Sequence, residues 1–169
     1  KGRDLPCPGA ACTDVIGLWK RDARPILFLR RLGVARSETA LMRWDLGAGA
    51  PRLLHRTSDP WLGCQLGPAE LVCTAEGAIA PRHVIGVDVA SGEVRTIYDP
   101  NPEFAAIALR SPERLVWRNA FGIETFADLV LPSDYRPGRP VPLIVVQYES
   151  RGFLRGGTAD EFPIQLFAA

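Results

Sequence analysis

Apolar and polar residues alternate over short stretches through residues 14–98, and glycine, proline and charged residues separate these stretches. In the segment 84–89, Ile85, Val87 and Val89 would share one face of a strand, because successive side chains point to opposite faces. The spacing of three and four residues that marks a helix is hard to find here. The pattern therefore predicts eight short strands, at Asp14–Lys20, Pro25–Arg31, Thr39–Leu46, Arg52–Arg56, Leu62–Leu66, Glu70–Glu76, Arg82–Val89 and Glu93–Tyr98.

The pattern changes at residues 99–103, where two closely spaced prolines stop a strand and mark a boundary. Beyond it the sequence predicts three further strands, at Arg114–Arg118, Thr125–Leu131 and Val141–Tyr148. The third contains a continuous apolar run, which is typical of a strand buried on both faces of a sheet. An apolar segment at 162–169 is typical of a helix that is just starting, so we expect the chain to be a piece of a longer protein.

Two hairpins resemble each other within the first hundred residues. Asp45 and Asp88 each stand near the end of a predicted third strand, before a glycine-containing turn and a short fourth strand, and they are 43 residues apart. That period fits one four-stranded blade of a β-propeller, at about 40–50 residues. Two blades cannot bury their faces alone, since propellers use typically four to eight. We therefore expect further blades upstream, or else a β-sandwich.

The segment around Pro68-Ala69 predicts a disulfide. A tight turn centred on these two residues places Cys64 opposite Cys73 on the neighbouring strand, at a non-hydrogen-bonded pair. The Cα atoms of such a pair lie about 4.5 Å apart, which is within disulfide reach. The alternative is two buried free thiols, since cysteine is commonly buried.

The other two cysteines, Cys7 and Cys12, could close a small loop. The cysteine spacings are not the short paired ones that zinc prefers, so we predict no metal site. Disulfides would indicate an oxidising compartment, and we therefore expect a periplasmic or secreted protein, with a cytoplasmic one as the alternative.

Composition narrows the choice of partners. The chain has 169 residues, of which 47% are hydrophobic and 23% charged, and its formal net charge is +1. These values are ordinary for a globular protein and give no electrostatic reason to expect nucleic acid or an anionic membrane as partner. No apolar run approaches the roughly 20 residues of a membrane helix, so no membrane span is predicted.

Several short motifs after residue 100 resemble, in order and spacing, the propeller-to-hydrolase junction of the prolyl oligopeptidase and dipeptidyl peptidase enzymes. They are Asn101-Pro102-Glu103, Glu113-Arg114-Leu115-Val116-Trp117-Arg118, Gly122, Leu131-Pro132 and Pro142-Leu143-Ile144-Val145-Val146-Gln147-Tyr148. The resemblance covers roughly residues 40–169. Within that family, the segment 147–158 is most similar to the lasso-peptide isopeptidases, which cut the isopeptide bond of a threaded peptide ring. Most family members have a Gly-Gly-Pro or Ala-Gly-Pro turn where this chain has Glu149-Ser150-Arg151, and this departure favours the isopeptidase branch.

The resemblance implies a fold and a division of the chain. The fold would be mostly β, with the C-terminal blades of a β-propeller followed by the first strands of an α/β-hydrolase domain. Residues 1–102 would form about two blades of the propeller, and residues 103–169 would form the start of the catalytic domain. The partners implied are a peptide substrate and the remainder of the same polypeptide, with its upstream blades and its downstream catalytic domain.

The resemblance also implies site residues. In the peptidases that the chain resembles, a tyrosine that ends this strand donates its hydroxyl to the developing oxyanion, and Tyr148 occupies that position. The alternative is a tyrosine packed against the sheet with a hydrated hydroxyl. Loops after strand ends line the cleft of α/β sheets, so Glu149, Arg151 and Arg155 become candidate substrate-binding residues, unless they are simply solvated.

A serine triad is not recognisable within the chain. No Gly-x-Ser-x-Gly elbow occurs, and the glycine neighbours of Ser150 do not fit one. The two histidines, His55 and His83, lie in the propeller-like half and are expected to pack on strands or face solvent. The glycine-rich segment 152–157 lacks the Lys-Ser/Thr ending of a phosphate-binding loop, so no cofactor is predicted. We expect the triad to lie beyond Ala169.

Two functions remain from the sequence. The first is part of a serine peptidase that hydrolyses peptide or isopeptide bonds, most similar to a lasso-peptide isopeptidase. The second is a β-propeller binding module with an inactive hydrolase-like domain. A nucleophile elbow followed by an acid and a histidine in the longer sequence would distinguish the enzyme from the binding module.

Overall fold

The computed structural model describes residues 12–20, 25–32, 38–45, 47, 49–146 and 163–169. The first part of the chain folds as a four-stranded antiparallel meander, in which each strand pairs with the next along the chain. Leu29 lies opposite Leu41 in this sheet, and Phe28 lies opposite Met42. Its strands are β1 (Cys12–Trp19), β2 (Ile26–Leu32), β3 (Glu38–Trp44) and β4 (Arg52–Thr57).

A second four-stranded antiparallel meander follows. Its first two strands are joined by a two-residue turn, closed by the Gly67 N–H, which donates to the Glu70 carbonyl at 2.9 Å. Gln65 lies opposite Val72, as the predicted turn at Pro68-Ala69 requires. The strands are β5 (Trp61–Leu66), β6 (Glu70–Gly77), β7 (Ala80–Asp88) and β8 (Val94–Tyr98).

The two sheets share one hydrophobic core. The first sheet contributes Leu29 and Leu41, and both are as deeply buried as the core residues of the second sheet. Leu29 and Leu41 lie directly opposite each other on neighbouring strands, so their side chains point to the same face of the first sheet and can both contact the second. The residues from the second sheet are Trp61, Cys64, Leu71, Cys73, Ala75, Ile85 and Val87. The opposite face of the first sheet carries a separate cluster of Phe28, Ala40, Met42 and Trp44.

The β7–β8 turn docks on the first sheet through backbone groups. Arg43 Nη1 donates to the Val89 carbonyl at 3.0 Å, and Arg52 Nη2 donates to the Ala90 carbonyl at 3.0 Å. Gly92 has a φ of +82°, and a Cβ atom added there would lie 2.5 Å from the Leu54 carbonyl oxygen. Only glycine permits both this backbone conformation and this close approach.

The chain continues as a short 3-10 helix at Pro102–Ala106, followed by the antiparallel hairpin of β9 (Glu113–Arg118) and β10 (Glu124–Leu129). The helix α1 occupies Ile164–Phe167, within the segment where the sequence predicts a helix just starting. The described residues are thus mostly β, as predicted, and the strands of each sheet pair antiparallel. Ten predicted strands are confirmed, and their ends agree with the prediction to within two residues.

The eleventh predicted strand, Val141–Tyr148, is wrong for the residues that the structure describes. Residues 141–146 are not in a strand, and Leu143 and Val145 are 76% and 67% exposed. The physical reason is that an apolar run signals burial, whereas a strand also needs a neighbour to accept its backbone hydrogen bonds. No described residue pairs with 141–146 in a sheet. Gln147 and Tyr148 lie outside the described residues.

Candidate functional site

The side chains predicted to form the site are Tyr148, Glu149, Arg151 and Arg155, and all four lie outside the described residues, within 147–162. The structure describes the chain on both sides of this segment. On the upstream side, the apolar residues 141–146 lead to it with most of their side chains exposed. The downstream side begins at Pro163 and continues directly into α1.

Gln165 anchors the downstream side to a distant part of the chain. Its Oε1 accepts the Arg110 N–H at 2.8 Å, and its Nε2 donates to the Arg110 carbonyl at 2.9 Å. The side-chain amide therefore satisfies both backbone groups of one residue, as a neighbouring strand would. Arg110 lies between the 3-10 helix and β9, so this contact joins α1 to the stretch of chain that precedes the β9–β10 hairpin.

An ion pair joins the two strands of the β9–β10 hairpin, which follows Arg110. Arg114 Nε donates to Asp128 Oδ1 at 2.7 Å, and Nη2 donates to Oδ2 at 2.6 Å, so the pair is bidentate. The guanidinium also lies over the Phe126 ring, 4.3 Å from its centroid. Arg114 and Asp128 are directly opposite in the ladder, where opposite charges stabilise strand pairing.

The tip of this hairpin is ordered by Asn119. Its Oδ1 accepts the N–H groups of Phe121 at 2.9 Å and Ile123 at 3.0 Å. Gly122, with a φ of +74°, provides the left-handed residue that the turn needs. The Phe121 side chain consequently projects outward, and it is 87% exposed.

The two histidines have packing roles, as the sequence predicts. The His55 ring stacks on Trp61 with 5.3 Å between ring centroids, and His83 Nδ1 lies 2.9 Å from the Pro81 carbonyl oxygen. Asp59 is the nearby acid. Burial raises the pKa of its carboxyl, and the electrostatic influence of His83 and then His55 acts in the opposite direction. These contacts form a packed polar corner between β4, β5 and β7.

Asp45 and Asp88, the aspartates of the two similar hairpins, make different contacts. Asp88 Oδ1 accepts the Ala90 N–H at 2.9 Å and the Ser91 N–H at 2.7 Å, so it caps the β7–β8 turn. Hydrogen bonds from Ser91 and Ala90 hold the pKa of Asp88 below its usual value. Asp45 instead pairs with Arg43 at 2.9 Å, and the hydrogen bond from Arg43 lowers its pKa. Both carboxylates are structural groups at turns.

The predicted disulfide is confirmed. Cys64 and Cys73 are bonded, with their Cα atoms 4.1 Å apart, across β5 and β6. A register shift between Leu62 and Gln65 accompanies the bond, and Gly63, with a φ of +58°, lies within it. Both sulfur-bearing residues belong to the core shared by the two sheets. The second predicted pair cannot be described, because Cys7 and the side chain of Cys12 lie outside the described residues.

In the described part of the chain, no group of three or more histidine, cysteine, aspartate or glutamate residues is arranged to hold a metal ion. Nor is any helix among the described residues long and apolar enough to cross a membrane. Neither the long-range contact of Gln165 nor the turn formed by Asn119 was predicted from the sequence. A glutamine whose partner lies 55 positions away carries no local signal, whereas an asparagine three residues before a glycine could have indicated the turn.

Comparison with known proteins gives one relative of high similarity over nearly the whole chain. The chain is 42% identical over 165 residues to the lasso peptide isopeptidase AtxE2 of Asticcacaulis excentricus, covering 97% of this chain and 24% of the relative. The chain therefore spans about a quarter of the length of the curated relative that it matches. No protein-family model matches the chain.

Solved structures agree with this similarity. AtxE2 isopeptidase without ligand, and a serine-to-alanine variant with Astexin3-dC4 bound, each superpose with a TM-score of 0.87 at 41% identity, covering 99% of this chain and 26% of theirs. An acylaminoacyl peptidase from Pyrococcus horikoshii shares the fold alone, with a TM-score of 0.58 at 19% identity over 76% of this chain and 19% of that one. The resemblance to the lasso-peptide isopeptidases, predicted from the sequence, is confirmed by these similarities.

Proposed function

We propose that this chain is a segment of a serine peptidase of the prolyl oligopeptidase family, and that the whole protein is a lasso peptide isopeptidase. The observation that carries the proposal is the 42% identity to AtxE2 over 97% of the chain. Its substrate would be a peptide, in keeping with the related structure that holds Astexin3-dC4. The activity belongs to the longer polypeptide, since the chain spans only 24% of this relative.

The two four-stranded meanders are proposed to be blades of a β-propeller, within a domain that includes residues 1–102. Three observations support this assignment: the antiparallel order in each sheet, the core shared between the sheets, and the 43-residue spacing of Asp45 and Asp88 in the two similar hairpins. Residues 103–169 are proposed to begin an α/β-hydrolase domain. The exposed apolar residues 141–146 support this part, because in a larger sheet they would gain the neighbours that a buried strand needs.

The proposed chemistry within this segment is electrostatic. Tyr148 would donate its hydroxyl to the oxyanion that forms when a serine attacks the scissile carbonyl, and such a donor is worth on the order of 3–4 kcal/mol in the transition state. Glu149, Arg151 and Arg155 would hold the threaded peptide. The nucleophile and its histidine base would come from another part of the polypeptide, since His55 and His83 are committed to packing.

The compartment is proposed to be the periplasm or the exterior of the cell. The Cys64–Cys73 disulfide supports this assignment, because structural disulfides persist where the environment is oxidising. Mass spectrometry of the protein isolated from its native compartment after rapid thiol blocking would test it. Two blocked thiols at Cys64 and Cys73 would contradict the proposal.

One experiment tests the activity itself. The full-length protein is incubated with a threaded lasso peptide and with a fluorophosphonate probe, and the present chain alone serves as control. We expect hydrolysis of the isopeptide bond, seen as the gain of one water and the opening of the ring, and covalent labelling of a serine outside residues 1–169. Covalent labelling of a serine within residues 1–169 would contradict the proposal that the nucleophile lies elsewhere in the polypeptide. A full-length protein that binds the peptide but neither hydrolyses it nor takes the label would be the inactive binding module.

A further inference from the structure

The stretch of chain from residue 99 to residue 146 has no hydrophobic core of its own. Every residue in this stretch is described, and none of the side chains is buried. The two meanders differ, since each contributes several fully buried apolar side chains. A folded domain needs such a core to offset the conformational entropy lost on folding, so residues 99–146 require buried contacts with another part of the molecule.

The β9–β10 hairpin within this stretch has two unlike faces. Side chains alternate between faces along a strand, and residues directly opposite each other share a face. One face, called the apolar face here, has Leu115 and Trp117 at its centre. Its residues are Glu113, Leu115, Trp117, Thr125, Ala127 and Leu129.

The other face of the hairpin, called the charged face here, is suited to water. The bidentate pair of Arg114 with Asp128 lies on it, and the Arg114 guanidinium covers the Phe126 ring. Arg118 and Glu124, also on this face, lie directly opposite each other in the ladder. Its remaining apolar side chain, that of the neighbouring strand residue 116, is 49% exposed.

The apolar face is incompletely covered by the residues around it. Leu115 is 40% exposed and Trp117 is 46% exposed. A hairpin of two strands is marginally stable in water by itself, and it gains independent stability from further strands or from a layer packed on its apolar face. This face therefore lacks part of the contact that such a hairpin needs.

We propose that the apolar face of the β9–β10 hairpin is a docking surface for the remainder of the proposed catalytic domain, which would follow this chain, and that the charged face stays in solvent. The length of the polypeptide supports this occupant, since the chain spans only 24% of its relative AtxE2. The inference rests on the proposed division of the chain near residue 103. It does not depend on catalytic activity.

Thiol labelling of the full-length protein tests which face is covered. Leu115→Cys and Val116→Cys place a thiol on opposite faces of one strand, so opening of the hairpin would expose both equally. Under native conditions we expect iodoacetamide to label Leu115→Cys about 100-fold or more slowly than Val116→Cys, measured on the isolated peptide by mass spectrometry. In urea the two rates should agree. Equal rates under native conditions, whether fast or slow, would overturn the proposal.

Photo-crosslinking identifies the occupant. With p-benzoylphenylalanine replacing Trp117 in the full-length protein, we expect intramolecular links to residues that follow residue 169. The same probe replacing Val116 is the matched control and should form no link to protein. Links from position 117 to a second copy, to another protein or to residues 1–169 would overturn the proposal, as would the absence of any link.

These outcomes are separable from those that test the proposed function. An inactive binding module with an intact hydrolase-like domain would still give the expected links and the expected difference in labelling rates. Conversely, a full-length protein that opens a lasso peptide while its Leu115→Cys and Val116→Cys variants label equally fast would keep the proposed function and contradict the docking surface.

Discussion

Replacing Gly92 with alanine should weaken the packing of the β7–β8 turn on the first sheet. The expected loss in the free energy of unfolding has two parts. The first part is conformational, because the φ of +82° lies in the left-handed region, where a Cβ atom costs roughly 1–2 kcal/mol. The second part is steric. The new Cβ would lie 2.5 Å from the Leu54 carbonyl oxygen and 2.9 Å from its carbon, both in the backbone of β4.

Backbone atoms cannot turn aside as a flexible side chain can, so either the β7–β8 turn or β4 must shift. A shift would also strain the hydrogen bonds from Arg43 to Val89 and from Arg52 to Ala90, which dock the turn. Overpacking of this kind costs typically 1–3 kcal/mol. The expected loss for Gly92→Ala is therefore about 2–5 kcal/mol in the free energy of unfolding.

Gly49→Ala is the matched control. Gly49 has a φ of +87°, nearly the same as that of Gly92, and a Cβ atom built there meets no atom within 4 Å. It should cost only the conformational part, about 1–2 kcal/mol. Urea denaturation followed by tryptophan fluorescence measures both variants, with Trp61 in the shared core as reporter. Equal losses for the two variants would refute the argument that the close approach of β4 and the turn requires glycine.

Three further predictions follow from other groups. Replacing both Cys64 and Cys73 with alanine should lower the free energy of unfolding by roughly 2.5–3 kcal/mol, from the entropy of a loop that spans nine positions, and wild type measured with reductant should lose a similar amount. In thermal melts at pH 7, Asp59→Asn should be more stable than wild type, because burial raises the pKa of Asp59 and makes its ionised carboxylate unfavourable in the folded protein. The stability contributed by the protonated carboxyl is present below about pH 4 and is lost as the pH rises through the folded pKa. An advantage of Asp59→Asn that persists at about pH 3 would contradict this. Tyr148→Phe in the full-length protein should lower kcat by about 10²–10³-fold with little change in KM, and a stable variant within about threefold of wild type would reject the oxyanion role.

The strands were predictable because their signal is local. Side chains alternate with a period of two, so the burial of Ile85 and Val87 on one face of β7 could be read from the order of apolar and polar residues. The Cys64–Cys73 pair followed from the same logic, since a tight turn at Pro68-Ala69 determines which residues face each other. The register shift beside Cys64 was not predicted, although Gly63 marks its place.

The failed prediction at 141–146 shows where that logic stops. Hydrophobicity indicates that a segment avoids water, but it does not say which neighbour will cover it, and pairing depends on strands that must be brought alongside. The same holds for the proposed site: Tyr148, Glu149, Arg151 and Arg155 were chosen by resemblance to a family, and their places in the fold stay predictions.

The sequence by itself determined the mostly β character of the chain, the places of ten strands, the disulfide and the relationship to lasso-peptide isopeptidases. Only the tertiary structure decided that the β7–β8 turn docks on Arg43 and Arg52, that Gly92 passes against Leu54, and that Gln165 holds Arg110. The reason is physical. Periodicity and turn chemistry act over a few residues, whereas these contacts join groups 38–55 positions apart, which meet only after the sheets have formed and packed.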